Sequence, residues 1–397
     1  MTGVSTAAQA RNQVERLNSQ QALLENLATQ LATGKKTQKM SGLGNDLLTS
    51  SRARANLNSL EVYMNNITNA DRRMQIMLQS VNEIQAQAEN LSGSVLLLSK
   101  ESVHQQGEEV MYDDPLTPEV ENTRVGMTSA DPSIELQTLT EYADNLYGVV
   151  MDLLNAQDGD SYLLSGSDTT TKPLEDTGLL DSAITGLITD WKNGVISNEE
   201  LIADLTSGNT SNNPDAITDD IIGFSSDLSS GNVGDLTVRA SNNLEVDYTV
   251  QANEDPFRDL VVGLAFLKNA ALPPIADTYT DPSSYPGPPD AQGAPGDTLD
   301  EMKENFFDVF SSVSSMIENA INDIDSIDFR VETSRARINE VKNNHTETQS
   351  LLTDTVAEIE DVNLDEVAVK ISALQVQLEA TYAVTASVQQ LSLVNFI

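Results

Sequence analysis

The sequence predicts a mainly α protein: a long antiparallel helical bundle, or coiled-coil stalk, formed by both termini, with an inserted α+β head domain. Three observations carry this. The last 101 residues, Asp297 to Ile397, contain neither glycine nor proline, and a run that long without a breaker reads as long helix. Apolar residues recur at intervals of three and four at both ends of the chain. Leu364, Val367, Ile371, Leu374 and Leu378 form one such series, Ile338 and Val341 belong to another, and Val14, Leu17, Gln21, Leu24, Ala28 and Leu31 show the same spacing. All 13 prolines lie between Pro115 and Pro295, so a different kind of structure sits in the middle. Complementary seams at the two ends predict that the termini pack side by side.

Composition narrows the chemistry. The chain has 397 residues, 5% aromatic, one tryptophan (Trp191) and no cysteine, so its cores are aliphatic and disulfides or thiolate sites are excluded. Only His104 and His345 are available, too few for a histidine-based metal site. The net charge of −39 argues against nucleic acid, whose phosphates would repel this surface. The charge is unevenly placed: residues 1 to 100 carry net +3, 101 to 300 net −31 and 301 to 397 net −11. A solvated outward face explains the acidic middle. Arg11, Glu15 and Arg16 stand where the apolar part of a cleavable signal would lie, and the longest apolar run, Leu260 to Leu267, is too short to span a bilayer. No membrane insertion is expected.

In chain order, residues 5 to 33 read as an amphipathic helix closed by Gly34, with Lys35, Lys36 and Lys39 beyond it. Its polar face is mainly Gln, Asn, Ser and Thr, which can be buried between helices more cheaply than ions. Ser41 to Gly44 interrupts helicity. A second helix runs from Asp46 to about Lys100, seamed by Leu57, Leu60, Met64, Ile67, Met74, Leu78 and Val81; at ~1.5 Å per residue it is about 80 Å long. Glu101 to Pro132 reads as a loop or a frayed extension, and Pro132 starts a helix to about Gln157. In the head, Asp158-Gly159 is a turn before a strand at Ser161 to Ser165. Helices are expected at Leu179 to Lys192, Asn198 to Leu205 and Pro214 to Ile222, a hairpin at Asp235 to Ala240 with Leu244 to Gln251, and a helix from Pro256 to Lys268. Residues 272 to 296 form a linker. Thr298-Leu299-Asp300-Glu301 is a capping box opening a helix to about Glu360. The heptad phase slips at Asp361-Val362-Asn363, and a last helix begins near Leu364. The expected divisions are 1–45 (assembly helix and spoke), 46–158 (rod), 159–296 (acidic head), 297–362 (rod) and 363–397 (assembly helix).

Catalytic constellations are scarce. Asp158-Gly159-Asp160 and Asp219-Asp220 lack the ligand count of a calcium loop and read as turn or solvated face. His345 reads as packing filler. No phosphate loop, metalloprotease motif or nucleophile elbow is present. The expectation is a structural protein, not an enzyme, with no cofactor, no metal and no catalytic residue. The residues that carry information are those of the terminal seams: Val14, Leu17, Leu24, Leu27 and Leu31 at one end, and Leu364, Val367, Ile371, Leu374, Leu378, Tyr382, Leu391 and Leu393 at the other. From spacing alone they fit a coiled coil within one chain or an interface between chains.

These same residues resemble a known family. Leu17 to Lys36, with Gln20, Gln21, Leu24, Leu27, Gln30, Leu31, Ala32, Thr33, Gly34 and Lys35, is similar to the amino-terminal segment of the bacterial flagellin superfamily. Ile371 to Gln375, Leu378 to Tyr382 and Leu391 to Ile397 resemble its carboxyl-terminal helix. Tyr63 to Ile67 with Ala70, Gly159 to Ser167 with Thr169 to Pro173, and Arg239 to Arg258 resemble the superfamily's hook-filament junction proteins (flagellar hook-associated protein 3), the last stretch in alphaproteobacterial form. Leu47 to Ser51 stands where flagellins carry an Asn-Asn-Ala-Ala-type motif, and Ser41 to Gly44 where junction proteins carry Asp-Pro. The resemblance implies a secreted motility protein of the flagellum, assembling into a ring by helix packing of its termini. A hook-side junction protein and flagellin would be its axial neighbours. It implies type III export without a cleaved signal, and an export chaperone binding Leu364 to Ile397. Flagellin itself is the alternative within the superfamily.

Overall fold

The computed structural model describes residues 2–99, 109–112, 123–126, 132–192, 195–206, 208, 215–270 and 299–394. They form a mainly α fold with only small antiparallel sheets, and the long terminal helices pack together, as expected. The helices are α1 (Thr2–Thr33), α2 (Leu47–Ser99), α3 (Pro132–Leu154), α4 (Leu179–Lys192), α5 (Asn198–Thr206), α6 (Asp219–Ile222), α7 (Ser226–Ser229), α8 (Asp255–Asn269), α9 (Leu299–Glu360) and α10 (Leu364–Val394). The strands pair in chain order as β1 (Glu109–Tyr112) with β2 (Thr123–Gly126), β3 (Gln157–Asp158) with β4 (Ser161–Tyr162), and β5 (Thr237–Arg239) with β6 (Glu245–Asp247). By contacts the chain forms two compact units: Met1–Asn65 with Lys342–Ile397, and Asn66–Val341.

The larger unit is organised on α8. Helices α3, α4, α5 and α6 all pack against it. Phe257 and every residue from Leu260 to Leu267 are buried, which accounts for the longest apolar run in the sequence. Gly263 lies inside that run. A Cβ there would stand 2.7 Å from Ile317 Cγ1, so the missing side chain is what lets α9 approach. Gly263→Ala should therefore lower stability by about 1–3 kcal/mol through overpacking. Gly186→Ala, in α4 with open space around the new methyl, should raise it by about 0.5–1 kcal/mol. Urea unfolding midpoints check the opposite signs.

Around α8, the 66–99 part of α2 and the 299–341 part of α9 run antiparallel. Asp71 accepts hydrogen bonds from Arg335 Nε (2.8 Å) and Asn339 Nδ2 (3.1 Å), and Gln85 Nε2 donates to Asp325 (2.7 Å). Trp191, Phe306 and Phe310 cluster at one end of the core, and the indole N–H donates to Asn198 Oδ1 at 2.8 Å. Asn198 opens α5, whose start is a capping box. Ser197 Oγ accepts from the Glu200 N–H at 3.2 Å, and the Glu200 carboxylate accepts from the Ser197 N–H at 2.9 Å.

Several expectations are corrected. Residues 101 to 132 were expected as loop or a frayed extension, yet Glu109–Tyr112 and Thr123–Gly126 pair as a hairpin, with Glu109 opposite Gly126. The helix after Pro132 ends at Leu154, because Gln157 and Asp158 pair with Tyr162 and Ser161 across Gly159-Asp160. The strand at 161 to 165 is only two residues long, with Ser165 bridging Gln251 instead. The helix expected at 214 to 222 is the single turn Asp219–Ile222; residue 214 lies outside the described residues, and α7 follows unannounced. The second hairpin has arms of three residues, Val238 opposite Val246. The linker at 272 to 296, His104 and the Thr298 cap also lie outside the described residues.

Candidate functional site

The terminal unit brings the two ends of the chain together as an antiparallel pair. Near its open end Gln21 Nε2 donates to the Tyr382 hydroxyl at 2.8 Å. At the other end the Val362 N–H donates to the Gly34 carbonyl (2.9 Å) and the Lys36 N–H to the Glu360 carbonyl (2.7 Å). Leu27, Val367, Leu374 and Leu378 are buried between α1 and α10, with Leu17, Leu24, Ile371 and Val362 partly buried around them. On α10 the facing series continues through the half-buried Thr381 and Thr385.

The seam on α1 differs in phase from the Val14 to Leu31 series read in the sequence. Of the seam residues named there, Leu17, Leu24 and Leu27 face α10; Gln20 joins them, and Val14, Gln21, Ala28 and Leu31 are exposed. Leu27 buries more apolar area than Ala28 would, so it takes the inward position. Leu364 and Tyr382 are also largely exposed, and Leu391 and Leu393 lie on α10 with side chains outside the described residues. Gln20 pays for this phase: its Oε1 is buried without a hydrogen-bond partner. Replacing it by leucine should strengthen the pair by about 1–2 kcal/mol, read as slower amide exchange at Leu27 and Val367.

The signal that the sequence reading missed lies on the far side of α10. Val369, Ala373, Val376, Ala380 and Ala383 are spaced four, three, four and three, and all five are exposed. A helix with period 3.6 places them opposite the Val367, Ile371, Leu374 and Leu378 face. Only Asp365, Glu366, Lys370 and Glu379 are charged in the 31 residues of α10. The far side of α1, by contrast, carries Arg11, Glu15, Asn18, Asn26 and Thr29. Of the seventeen large hydrophobic side chains exposed among the described residues, thirteen belong to the terminal unit, so apolar surface is concentrated there and not in the acidic middle.

Where the pair meets α2 and α9, one carboxylate gathers several donors. Glu360, the last residue of α9, accepts from Ser50 Oγ (2.6 Å) and Arg54 Nε (2.7 Å) at Oε1; Arg54 Nη2 and Lys35 Nζ (3.5 Å) reach Oε2. Its side chain is 7% exposed. The Arg54 hydrogen bonds pull its acidity furthest, against the opposing effect of desolvation, with Ser50 and Lys35 adding to Arg54, and hold its pKa down at about 2. Lys35 Nζ also meets Asp361 Oδ1 at 2.5 Å.

Elsewhere, polar groups named in the sequence serve structure. Asp158 pairs with Arg72 at 3.0 Å. Asp219 faces Arg258 at 3.5 Å and accepts from Asn253 Nδ2 at 3.1 Å. His345 is half-buried, its ring stacked 5.9 Å from that of Tyr63. Among the described residues no group of three His, Cys, Asp or Glu side chains is placed to hold a metal ion, and no helix is long and apolar enough to cross a membrane.

Residues 314–397 match the family model of the bacterial flagellin C-terminal helical region. No curated protein matches the chain. Among solved structures, one described as a flagellar hook-associated protein from Vibrio parahaemolyticus aligns over 79% of this chain and 97% of its own, at 9% identity and a TM-score of 0.42. The segment that supplies α10, its junction at Glu360 and the end of α9 is thus similar to the C-terminal helical region of bacterial flagellins.

Proposed function

We propose that this chain is a structural subunit of the bacterial flagellum that assembles through its terminal helix pair, and that within that class it joins hook to filament. The observation that carries the assembly reading is the two-sided character of α10. One seam is closed by α1, and a second, of valine and alanine, stands open on the opposite side. A contiguous exposed apolar strip marks a contact surface, and small side chains let a second helix approach closely. The occupant is a second copy of the chain. α10 is nearly uncharged and uses the same four-three period on both sides, so a neighbour's terminal helix fits the same register. Residues 1–45 and 363–397 are then the assembly segments, 46–158 and 297–362 the rod, and the acidic 159–296 stays in water.

Similarity of residues 314–397 to the flagellin helical region supports the flagellar address, and the stretches at Tyr63 to Ile67 and Gly159 to Ser167 favour the junction role over filament subunit. Neighbours on the axis would be a hook-side junction protein and flagellin. Export would be unfolded, by the flagellar type III route, with a chaperone held on Leu364 to Ile397.

The assembly reading is tested by sedimenting the purified full-length chain at rising concentration in sulfate, where effective burial is strengthened. Concentration-dependent polymer is the expected result, and monomer throughout overturns the reading. The address is tested by imaging flagella of a deletion strain. Bare hooks with filament protein shed into the medium support the junction role, whereas absence of any filament protein points to flagellin.

A further inference from the structure

The densest polar cluster of the terminal unit lies on neither helix of the pair but at the place where both join the rest of the chain. Two short segments make that join: the connector after α1, which passes through the helical turn Met40–Asp46 into α2, and Asp361 to Asn363 between α9 and α10. The segments are tied to each other by the antiparallel bridge of Lys35 with Asp361, by its two backbone hydrogen bonds, and by Lys36 Nζ donating to the Glu358 carbonyl at 2.5 Å. What ties them to α2 is different. Ser50 and Arg54 of α2 reach the junction through one group, the Glu360 carboxylate, which Lys35 of the connector also approaches. The bridge therefore keeps α1 and α10 together, and Glu360 keeps the bridged pair on α2. Gly44, at φ 58° and ψ −122°, breaks the helical turn just before α2, so the backbone there does not fix the pair's direction by itself.

We propose that Glu360 is the latch of a hinge. Charged and gripped by Arg54, Ser50 and Lys35, it holds the terminal helix pair in one orientation on α2; with the charge removed, the pair swings as one body about 34–46 and 361–363, still joined at Lys35 and Asp361. The proposal concerns the single chain and does not rest on the assembly reading. A buried carboxylate gripped by two parallel guanidinium N–H donors fixes direction as well as distance, which suits it to orienting two bodies.

The chain has no cysteine, so spin labels can be placed cleanly at Asn18→Cys on α1 and Asn58→Cys on α2, both exposed. Pulsed electron resonance on the full-length monomer should give one narrow distance distribution. Glu360→Gln and Arg54→Met should each broaden it severalfold with helicity by circular dichroism unchanged, and Asp361→Asn, which leaves the Glu360 grip in place, should not. A distribution as narrow in Glu360→Gln as in the parent overturns the latch. Broadening accompanied by lost amide protection at Leu27 and Val367 also overturns it, because the carboxylate would then hold the helices together rather than orient them. Should Glu360→Gln fail to fold, Arg54→Lys decides in its place, since it keeps the charge and loses the paired donors.

Discussion

Val376→Asp abolishes polymerisation while leaving the monomer folded. Val376 is 67% exposed and sits at the centre of the open valine and alanine seam, on the side of α10 away from Leu374 and Leu378. In the free chain the new carboxylate meets water, and a change at such a surface position alters stability by roughly 0.5 kcal/mol or less. In an assembly that covers this seam the same carboxylate is buried without a partner, at a cost of several kcal/mol. Each ~1.4 kcal/mol is a tenfold change in affinity, so the concentration needed for polymer rises by at least about a thousandfold. Circular dichroism of the monomer and pelleting across a concentration series read the two effects separately. Glu15→Arg, on the polar far side of α1, serves as the control and should polymerise as the parent does. If Val376→Asp pellets at the parent's concentration, the open seam is not the contact. Leu374→Asp differs in kind: Leu374 is buried against α1, so that variant should lose the helix pair as well as the polymer.

That contrast also marks what was legible in the sequence. Long elements bounded by local chemistry were read closely. Helix α9 ends at Glu360 and α10 begins at Leu364, as expected, because Asn363 Oδ1 accepts from the Asp365 and Glu366 N–H groups and caps the new helix. Helix α4 spans Leu179–Lys192 as read, because its apolar stripe is strict: Leu180, Ile184, Leu187, Ile188 and Trp191 are its buried residues. The seam on α1 was legible only in part: Leu17 and Leu24 satisfy two registers, the sequence offers Leu27 for one and Val14 and Leu31 for the other, and only the packing of Leu27 against α10 separates them. The second seam of α10 was missed because attention to leucine and isoleucine passes over alanine, whose burial value depends on what approaches it. Glu360 was beyond any pattern reading. Its partners Lys35, Ser50 and Arg54 stand more than 300 positions away, and an ion pair leaves no periodic trace. Nor did the short strands announce themselves, since two or three residues of pairing are set by tertiary context more than by propensity.

Acid should loosen the terminal unit through Glu360, in a window set by the two values of its pKa. In the unfolded chain the carboxyl titrates near 4.5, and in the folded unit the Arg54 grip holds it at about 2. Between those values the unfolded state binds a proton that the folded state refuses, so stability falls as pH falls. The contribution is complete above about 4.5, declines through the window and is gone below about 2. The charged groups that face the carboxylate are Arg54 of α2, Lys35 of the connector and Asp361 beside it; the two cations keep their charge throughout, so they add no slope of their own. Arg54 is half-exposed, and solvent around it screens the pair, which makes the loss about 1–3 kcal/mol. The distance distribution between labels at Asn18→Cys and Asn58→Cys should therefore broaden severalfold between pH 4.5 and 2, while amide protection at Lys36 and Val362, whose N–H groups form the bridge beside the latch, persists. Glu360→Gln should flatten that response, because it starts without the charge that the parent loses. A parent and a variant with equal slopes would assign the acid response to the many other carboxylates of this −39 chain and remove Glu360 from it.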